Sequence, residues 1–247
     1  MLKTVAVILA AGQGKRMYSD LPKVLHKVAG RPMVKYSLEA AIAATGEKPV
    51  LVVGHKANLV KEQVGDIVHY VLQEKQLGTG HAVQQAEHLL KDQCDYVLVL
   101  SADMPLLTSE TLRHLIAVQH SHDGPMTMVT IIAEDPHGFG RVIRSANRQV
   151  EAIVEESVAR SEELAVSELN AGVYCFTANW LWEALKQIQI SPKGEYFLTD
   201  LVEIAVNDGL VVQTITLDDP TEALGINTQE HLLEAELLMN KQMVYHY

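Results

Sequence analysis

The chain has 247 residues, 48% of them hydrophobic, which is enough to bury the core of one large α/β domain or two smaller ones. No run of about 18 consecutive apolar residues occurs, so no transmembrane helix is expected. The formal net charge of −11 argues against sequence-independent binding of nucleic acid, whose backbone carries the same sign.

The first half of the chain alternates predicted strands with predicted helices. Strands are predicted at residues 4–10, 49–53, 66–73 and 96–100, and helices at 33–45, 58–64, 80–91 and 109–120. Gly46 is expected to end the first helix, while Asn58 and Ser109 are expected to cap two others. This alternation predicts a parallel sheet with helices on both faces.

From residue 126 onward, strands become more frequent. Strands are predicted at residues 126–132, 141–144, 149–155, 170–176 and 210–216, and helices at 178–189, 196–207 and 228–242. The expected fold class is therefore α/β, with a mostly parallel, mixed central sheet flanked by helices and divided into two lobes.

The beginning of the chain and its cysteines indicate a compartment. The first residues lead directly into an apolar strand pattern, without the features of a signal peptide, so a cytoplasmic location is expected. Cys94 and Cys175 lie far apart without metal-ligand spacing, and we expect two reduced, partly buried thiols.

A Gly-rich loop follows the first strand. Small residues at 10–14, including Gly12 and Gly14, let backbone N–H groups approach an anion at the carboxyl end of a parallel strand. The loop lacks the spacing of dinucleotide folds and of P-loops, so by itself it also fits an ordinary turn. However, residues 11–35 hold six basic residues against one acidic residue, a local charge of +5, which favours a polyphosphate ligand. The basic residues are Lys15, Arg16, Lys23, Lys27, Arg31 and Lys35.

Longer strings are much more specific than the glycines. Residues 9–17 and 18–26 resemble the signature of the sugar-phosphate nucleotidyltransferases, and most closely the uridylyltransferase half of the bacterial bifunctional N-acetylglucosamine-1-phosphate uridylyltransferases. Further strings match in order at residues 72–73, 76–82, 103–106, 138–141, 153–156, 170–172, 194–200 and 225–227. The resemblance covers nearly the whole chain and implies a Rossmann-like nucleotidyltransferase fold.

The resemblance also implies roles for individual residues. Those implied to contact the nucleotide are Leu9, Ala10, Ala11, Gly12, Gly14, Gln73, Gly78, Thr79, Ser101 and Ala102, with Gln73, Gly78 and Thr79 at the uracil. Those implied to hold the sugar are Gly140, Glu155 and Asn170. Asp103 and Asn227 are the implied ligands of Mg²⁺, since carboxylate and amide oxygens suit that cation.

The implied reaction transfers UMP from UTP to N-acetylglucosamine 1-phosphate, giving UDP-N-acetylglucosamine and pyrophosphate for cell-envelope precursors such as peptidoglycan and lipopolysaccharide. A phosphate monoester loses its second proton near pH ~6, so the nucleophile needs no strong base. We expect Mg²⁺-assisted in-line attack on the α-phosphorus, with Arg16, Lys23 and Asp103 as the catalytic residues. Arg16 would stabilise the departing pyrophosphate, and Lys23 would bridge the α-phosphate and the sugar phosphate.

One departure from the family pattern keeps alternatives open. The family usually has Tyr-Gly-Asp where this chain has Ser101, Ala102 and Asp103. A different sugar or alditol phosphate, or CTP in place of UTP, is therefore the alternative, with a non-catalytic nucleotide-sugar sensor as a third hypothesis.

The domain organisation is predicted from the same resemblance. Residues 1–227 are expected to form the transferase domain, and residues 228–247 a helix like the start of a connecting arm. The hexapeptide repeats of the bifunctional enzymes do not occur in the sequence, so acetyl transfer is not expected and a monomer is favoured.

Overall fold

A computed structural model of the chain describes residues 2–133, 136 and 138–245. Its strands are β1 (Thr4–Ala10), β2 (Lys27–Val28), β3 (Arg31–Pro32), β4 (Val50–Val53), β5 (His69–Leu72), β6 (Tyr96–Ser101), β7 (Met126–Ile132), β8 (Gly140–Arg144), β9 (Val150–Val154), β10 (Glu168–Thr177) and β11 (Gln213–Thr216). Its α-helices are α1 (Met33–Thr45), α2 (Ala57–Val64), α3 (Thr79–Gln84), α4 (Glu87–Leu90), α5 (Ser109–His120), α6 (Ser161–Leu164), α7 (Ala178–Ala184), α8 (Asp200–Asn207) and α9 (Gln229–Tyr245).

The main sheet runs in the order β11-β7-β10-β6-β1-β4-β5. The strands from β6 to β5 are parallel to one another, whereas β10 is inserted antiparallel between β6 and β7. β8 pairs with β10 and with β9, while β2 and β3 form a separate hairpin. The predicted α/β fold, with a mostly parallel mixed sheet flanked by helices, is confirmed.

Two hydrophobic clusters cover the two faces of the sheet. Successive side chains of a strand point to opposite faces, so Ile8 joins the cluster with Leu38 of α1, while Val7 joins the cluster with Trp182 of α7 and Leu201 of α8. Each fully buried aliphatic side chain contributes roughly 1.5–3 kcal/mol. Helices on both faces therefore hold the carboxyl ends of the parallel strands in fixed positions.

Helix ends confirm one predicted cap and contradict two. Gly46 ends α1 with φ of 71°, and its N–H donates to Ile42 O. The prediction that Asn58 caps α2 was wrong, because the helix already begins at Ala57. The prediction that Ser109 caps α5 was also wrong, since the preceding residue, Thr108, accepts from the backbone N–H of Thr111. A cap depends on where the chain enters the helix, which side-chain type alone does not fix.

One predicted helix is divided in two, and two others are shorter than expected. The helix predicted at 80–91 is divided into α3 and α4, because the backbone N–H groups of Gln85 and Ala86 donate to the carbonyl three residues earlier, at 3.2 and 2.9 Å. The helix predicted at 178–189 ends at Ala184 and continues as a 3₁₀ turn at Leu185–Gln187. The helix predicted at 196–207 begins only at Asp200.

Two whole-chain expectations concern membranes and thiols. Among the described residues, no helix combines the length and apolar character needed to cross a lipid bilayer. Both cysteines are free; Cys94 is half-buried, as predicted, whereas Cys175 is fully buried. Burial raises the pKa of Cys94 to about 11, so this thiol is protonated at neutral pH.

Candidate active site

Three adjoining clefts open at the carboxyl ends of β1 and β6. The loop cleft has a volume of about 520 Å³, and its walls include Leu9, Ala10, Ala11, Gly12, Arg16, Lys23, Gln73, Gly78, Thr79, Ser101, Asp103 and Glu155. The inner cleft, about 210 Å³, includes Leu9, Thr79, Ser101, Asp103, Gly140, Glu155, Asn170 and Asn227. The basic cleft, about 300 Å³, is lined by Gly12, Gln13, Gly14, Lys15, Arg16, Lys23 and Asn227. Nearly all of the predicted site residues therefore line one connected space.

The Gly-rich loop packs against the turn that carries Lys23. Gly14 has φ of 61°, and a Cβ added to it would lie 2.6 Å from the Cβ of Lys23. Met17, at 1% exposure, anchors the following 3₁₀ turn in the core. Only glycine fits this close approach, so Gly14 sets the position of Lys23 in addition to any contact with a ligand.

Three of the six basic residues converge on the site. Lys15, Arg16 and Lys23 line the basic cleft. Arg31 instead forms an ion pair with Glu39 and lies 4.9 Å from the ring centroid of Tyr36. Lys27 and Lys35 line none of the three clefts.

Lys23 joins the two predicted metal ligands. Its ammonium donates to Asp103 Oδ2 and, over 2.9 Å, to Asn227 Oδ1. The side chains of Lys23 and Asp103 are each 14% exposed, so the pair is largely shielded from water. The Nδ2 of Asn227 donates to Gly225 O at 3.3 Å, which turns its oxygen toward Lys23.

Backbone hydrogen bonds hold this group at the end of the sheet. Ala102 N donates to Leu9 O at 3.0 Å, and Ile226 N donates to Asp103 O at 2.9 Å. The side chain of Ala102 is fully buried in the core, so it has no access to a ligand. The segment before α9 is thereby tied to the end of β6.

The oxygen pair of Asp103 and Asn227 has the chemistry of a magnesium site. Both oxygens approach one ammonium, so they converge on a single cation. Within the described residues, no group of three or more His, Cys, Asp and Glu side chains is placed to hold a metal. A site with few protein ligands suits Mg²⁺, which keeps waters and binds substrate phosphates. The residues present therefore fit the predicted cation.

Gln73 is a buried amide with a fixed orientation. The residue is 3% exposed, and its Nε2 donates to Gly78 O and to His81 Nδ1, both at 3.0 Å. Burial lowers the pKa of His81, which favours the neutral ring that can accept at Nδ1. Because both hydrogens of the amide are used, its carbonyl Oε1 is the group left for a ligand.

Residues 195–200, which we call the strap, close over the loop that contains Gly78 and Thr79. Tyr196 N donates to Leu77 O at 2.8 Å, and Leu198 N donates to the hydroxyl of Thr79 at 3.0 Å. A Cβ on Gly78 would lie 2.6 Å from Tyr196 O, so the strap requires glycine there. The hydroxyl of Thr79 thus holds the strap, a role that its sequence motif did not reveal.

The inner cleft contains the predicted sugar residues. The hydroxyl of Thr199 donates to Glu155 Oε1 at 2.9 Å, and burial raises the pKa of Glu155. Asn170 lies opposite Gly140 in the pairing of β10 with β8. Its Nδ2 donates to Tyr174 Oη at 2.6 Å, which fixes its side chain at the irregularity of β10.

Sequence reasoning missed several residues that line the clefts, and four of them lie on the wall formed by the strap and its neighbours. Gln76, Glu195 and Phe197 line the loop cleft, and Thr199 lines the inner cleft. All four lie in or beside strings that carried the family resemblance, and that position was the available signal.

The fold and the site define a class of protein. The family profile described as nucleotidyl transferase matches residues 5–221. The chain therefore belongs to the nucleotidyl transferase family.

Individual relatives refine this assignment. The chain is 44% identical to the bifunctional protein GlmU of Acetivibrio thermocellus over 97% of its own length and 52% of that protein. It is 43% identical to the bifunctional protein GlmU of Bacillus subtilis over 98% of its own length and 54% of that protein. The match lies on the N-terminal domain of GlmU, as the resemblance predicted, and the chain spans about half the length of these curated relatives.

A solved structure supports the fold independently. A Bacillus anthracis protein assigned as a glucose-1-phosphate thymidylyltransferase, crystallised with a sucrose, superposes with a TM-score of 0.77. The superposition covers 95% of this chain and 94% of that one at 21% identity. At that identity, the likeness describes the fold alone.

Proposed function

We propose that this chain transfers UMP from UTP to N-acetylglucosamine 1-phosphate, releasing pyrophosphate and forming UDP-N-acetylglucosamine for cell-envelope synthesis. The observation that carries the proposal is the convergence of Lys23, Asp103 and Asn227 where the three clefts meet. The match to the GlmU relatives supports a nucleotidyl transfer reaction of this kind.

The nucleotide would occupy the loop cleft. Backbone groups of residues 9–12 would contact it, and the Oε1 of Gln73 would accept from the N3–H of uracil. Cytosine has an unprotonated N3 and would leave this buried carbonyl without a donor, which favours UTP over CTP. The fixed orientation of the Gln73 amide supports this preference.

The sugar would occupy the inner cleft. Glu155, with Oε1 engaged by Thr199, would accept from a sugar hydroxyl through Oε2. Asn170 and the backbone at Gly140 would complete the contacts on the facing wall. A hydrogen bond to a buried carboxylate is worth about 1.5–3 kcal/mol, enough to select the sugar.

The reaction would depend on positioning and charge. The sugar 1-phosphate is a dianion near pH 7, and the ammonium of Lys23 would bring it and the α-phosphate together. Arg16, in the wall shared by the loop cleft and the basic cleft, would neutralise the leaving pyrophosphate. Mg²⁺, held by Asp103 and Asn227, would supply further neutralisation of phosphate charge when bound.

A substrate panel with pyrophosphate release as the readout tests the proposal. We expect release with UTP and N-acetylglucosamine 1-phosphate, and much slower release with CTP. Absence of release with the expected pair would overturn the proposal.

A second candidate rests on Ser101. This residue lies in the wall shared by the loop cleft and the inner cleft, where the family usually has tyrosine. Its small side chain would admit another sugar or alditol phosphate. The same substrate panel would identify that substrate by faster release of pyrophosphate. The sensor hypothesis is less favoured because Arg16, Lys23, Asp103 and Asn227 are all present.

A further inference from the structure

The strap connects the two substrate clefts through separate hydrogen bonds. Toward the loop cleft, Leu198 N donates to the hydroxyl of Thr79, and Tyr196 pairs with the backbone of the 77–80 segment. Toward the inner cleft, the next residue, Thr199, donates to Glu155 over 2.9 Å. Consecutive residues of one segment therefore contact the residues assigned above to uracil and to sugar.

Thr199 is buried, at 4% exposure, so its hydroxyl is not free to exchange partners with bulk water. It engages Oε1 of Glu155 and leaves the second oxygen of that carboxylate for a ligand. A carboxylate with one oxygen fixed in this way has a defined orientation, which a sugar hydroxyl requires for a good hydrogen bond.

The groups whose charges act on Glu155 are acidic, so the hydrogen bond from Thr199 is a main favourable interaction of this carboxyl group. Glu195 on the strap, Asp200 at the start of α8 and Tyr174 on β10 are the titratable groups whose charges interact with Glu155. Among the described residues, no lysine, arginine or histidine forms an ion pair with it. Burial raises the pKa of Glu155, the Thr199 hydroxyl opposes that shift, and the charge of Glu195 adds to it.

We propose that Thr199 is a positioning residue for sugar-phosphate recognition, which acts by holding the carboxyl group of Glu155 oriented toward the inner cleft. This inference rests on the proposed function, because the contact between Glu155 and the sugar is part of it. The strap delivers Thr199 to this position through its bonds at Tyr196 and Leu198.

Four variants test the inference: Thr199→Val, Thr199→Ser, Glu155→Gln and the double variant Thr199→Val/Glu155→Gln. Thr199→Val keeps the shape of the buried side chain and removes the hydroxyl. We expect roughly a tenfold higher KM for the sugar 1-phosphate, with the KM for UTP within about twofold of wild type. We also expect the acid limb of the kcat/KM profile to move to higher pH.

Thr199→Ser should behave like wild type, because it restores the hydroxyl. In the Glu155→Gln background, Thr199→Val should no longer move the acid limb of the kcat/KM profile, because the group at position 155 no longer titrates. An equal rise in both KM values would overturn the inference, since it would indicate a loosened strap. An unchanged KM, or a Thr199→Ser variant that behaves like Thr199→Val, would overturn it as well.

An NMR titration of the carboxyl carbons in ¹³C-glutamate-labelled protein tests the hydrogen bond from Thr199 to Glu155 without any measurement of turnover. The resonance that Glu155→Gln removes should titrate at higher pH in Thr199→Val than in wild type or Thr199→Ser. An unmoved titration would overturn the role of Thr199. If wild-type protein failed to release pyrophosphate from the expected substrates, the proposed function would fall, while this titration would still test the hydrogen bond.

Discussion

At the residue scale, Gly14 combines two constraints that one substitution would violate together. Its φ of 61° is left-handed, and a Cβ there would lie 2.6 Å from the Cβ of Lys23. A left-handed non-glycine residue costs about 1–2 kcal/mol, but the collision also displaces a cation of the site. Gly14 therefore links backbone conformation to the position of Lys23, which we propose as a catalytic residue.

Gly14→Ala should lower kcat by at least about tenfold, because a shift of Lys23 by a fraction of an ångström misplaces its ammonium. Gly46→Ala is the matched control, since Gly46 has φ of 71° and open space where a Cβ would lie. The control should lower the melting temperature and leave kcat unchanged. Steady-state kinetics and thermal melts of both variants measure this, and equal kcat values would contradict the role assigned to Gly14.

Asp103 is the second residue at which one substitution tests the site. Asp103→Asn keeps the shape but removes the charge that pairs with Lys23. We expect kcat to fall by about a hundredfold or more and Mn²⁺ binding, followed by electron paramagnetic resonance, to weaken.

Asp20→Asn provides the control for Asp103→Asn. Asp20 is the one acidic residue in the basic segment at residues 11–35, and its side chain is fully exposed. This variant should retain both kcat and Mn²⁺ binding. If Asp103→Asn bound Mn²⁺ as tightly as the control, Asp103 would not be a metal ligand.

At the scale of elements, α8 begins with a carboxyl group in an unfavourable environment. Burial, together with Glu203 and Glu155, raises the pKa of Asp200 from 3.8 to about 6. Because the folded-state pKa is raised, the stability associated with protonated Asp200 is fully present below pH 3.8 and is lost as pH rises through about 6. Asp200 therefore destabilises the folded protein at neutral pH relative to acidic pH.

Asp200→Asn should remove this pH dependence. The difference in melting temperature between variant and wild type should be more positive at pH 7.5 than at pH 4.5. Glu151→Gln, which changes an exposed carboxyl on β9, should give a similar difference at both pH values. If Asp200→Asn also gave equal differences, the environment described for Asp200 would be wrong.

The strap illustrates how tertiary contacts override a local pattern. The sequence predicted a helix from residue 196, yet helix α8 begins at Asp200. The N–H groups of Tyr196 and Leu198 donate instead to Leu77 O and to the Thr79 hydroxyl. Partners more than a hundred residues earlier in the chain thus hold the segment out of the helix.

At the scale of the whole molecule, an acidic protein concentrates positive charge in one place. The net charge is −11, yet Lys15, Arg16 and Lys23 line the same basic cleft. A cleft lined by one sign of charge attracts the opposite sign, and salt screens this attraction over about 10 Å at 0.1 M. The distribution of charge therefore favours an anionic substrate that the net charge would repel.

The KM for UTP should rise as the KCl concentration increases from about 50 to about 500 mM, while kcat changes less. Lys15→Gln should weaken this salt dependence, because Lys15 lines the basic cleft. Lys35→Gln should preserve it, because Lys35 lies on α1 and lines none of the three clefts. If the KM for UTP rose equally steeply with KCl concentration in the two variants, Lys15 would have no local role in attracting UTP.

The sequence by itself determined the features that local patterns encode. The bounds of β1, α1 and β7 agree with their predictions, because each is a continuous apolar or amphipathic run bounded by clear breaks. The ordered motif strings identified the family, whose match over residues 5–221 confirmed it. The cytoplasmic location, the division at residue 227 and the favoured monomer stay predictions.

Only the tertiary structure decided which residues of the candidate site contact one another. Lys23 reaches Asp103 across 80 residues and Asn227 across 204 residues, and Thr199 reaches Glu155 across 44. Such contacts depend on the order of strands in the sheet, with β10 antiparallel beside β6, and hydrophobic periodicity does not specify that order. Periodicity reports which face of an element is buried, whereas the site was set by which elements lie side by side.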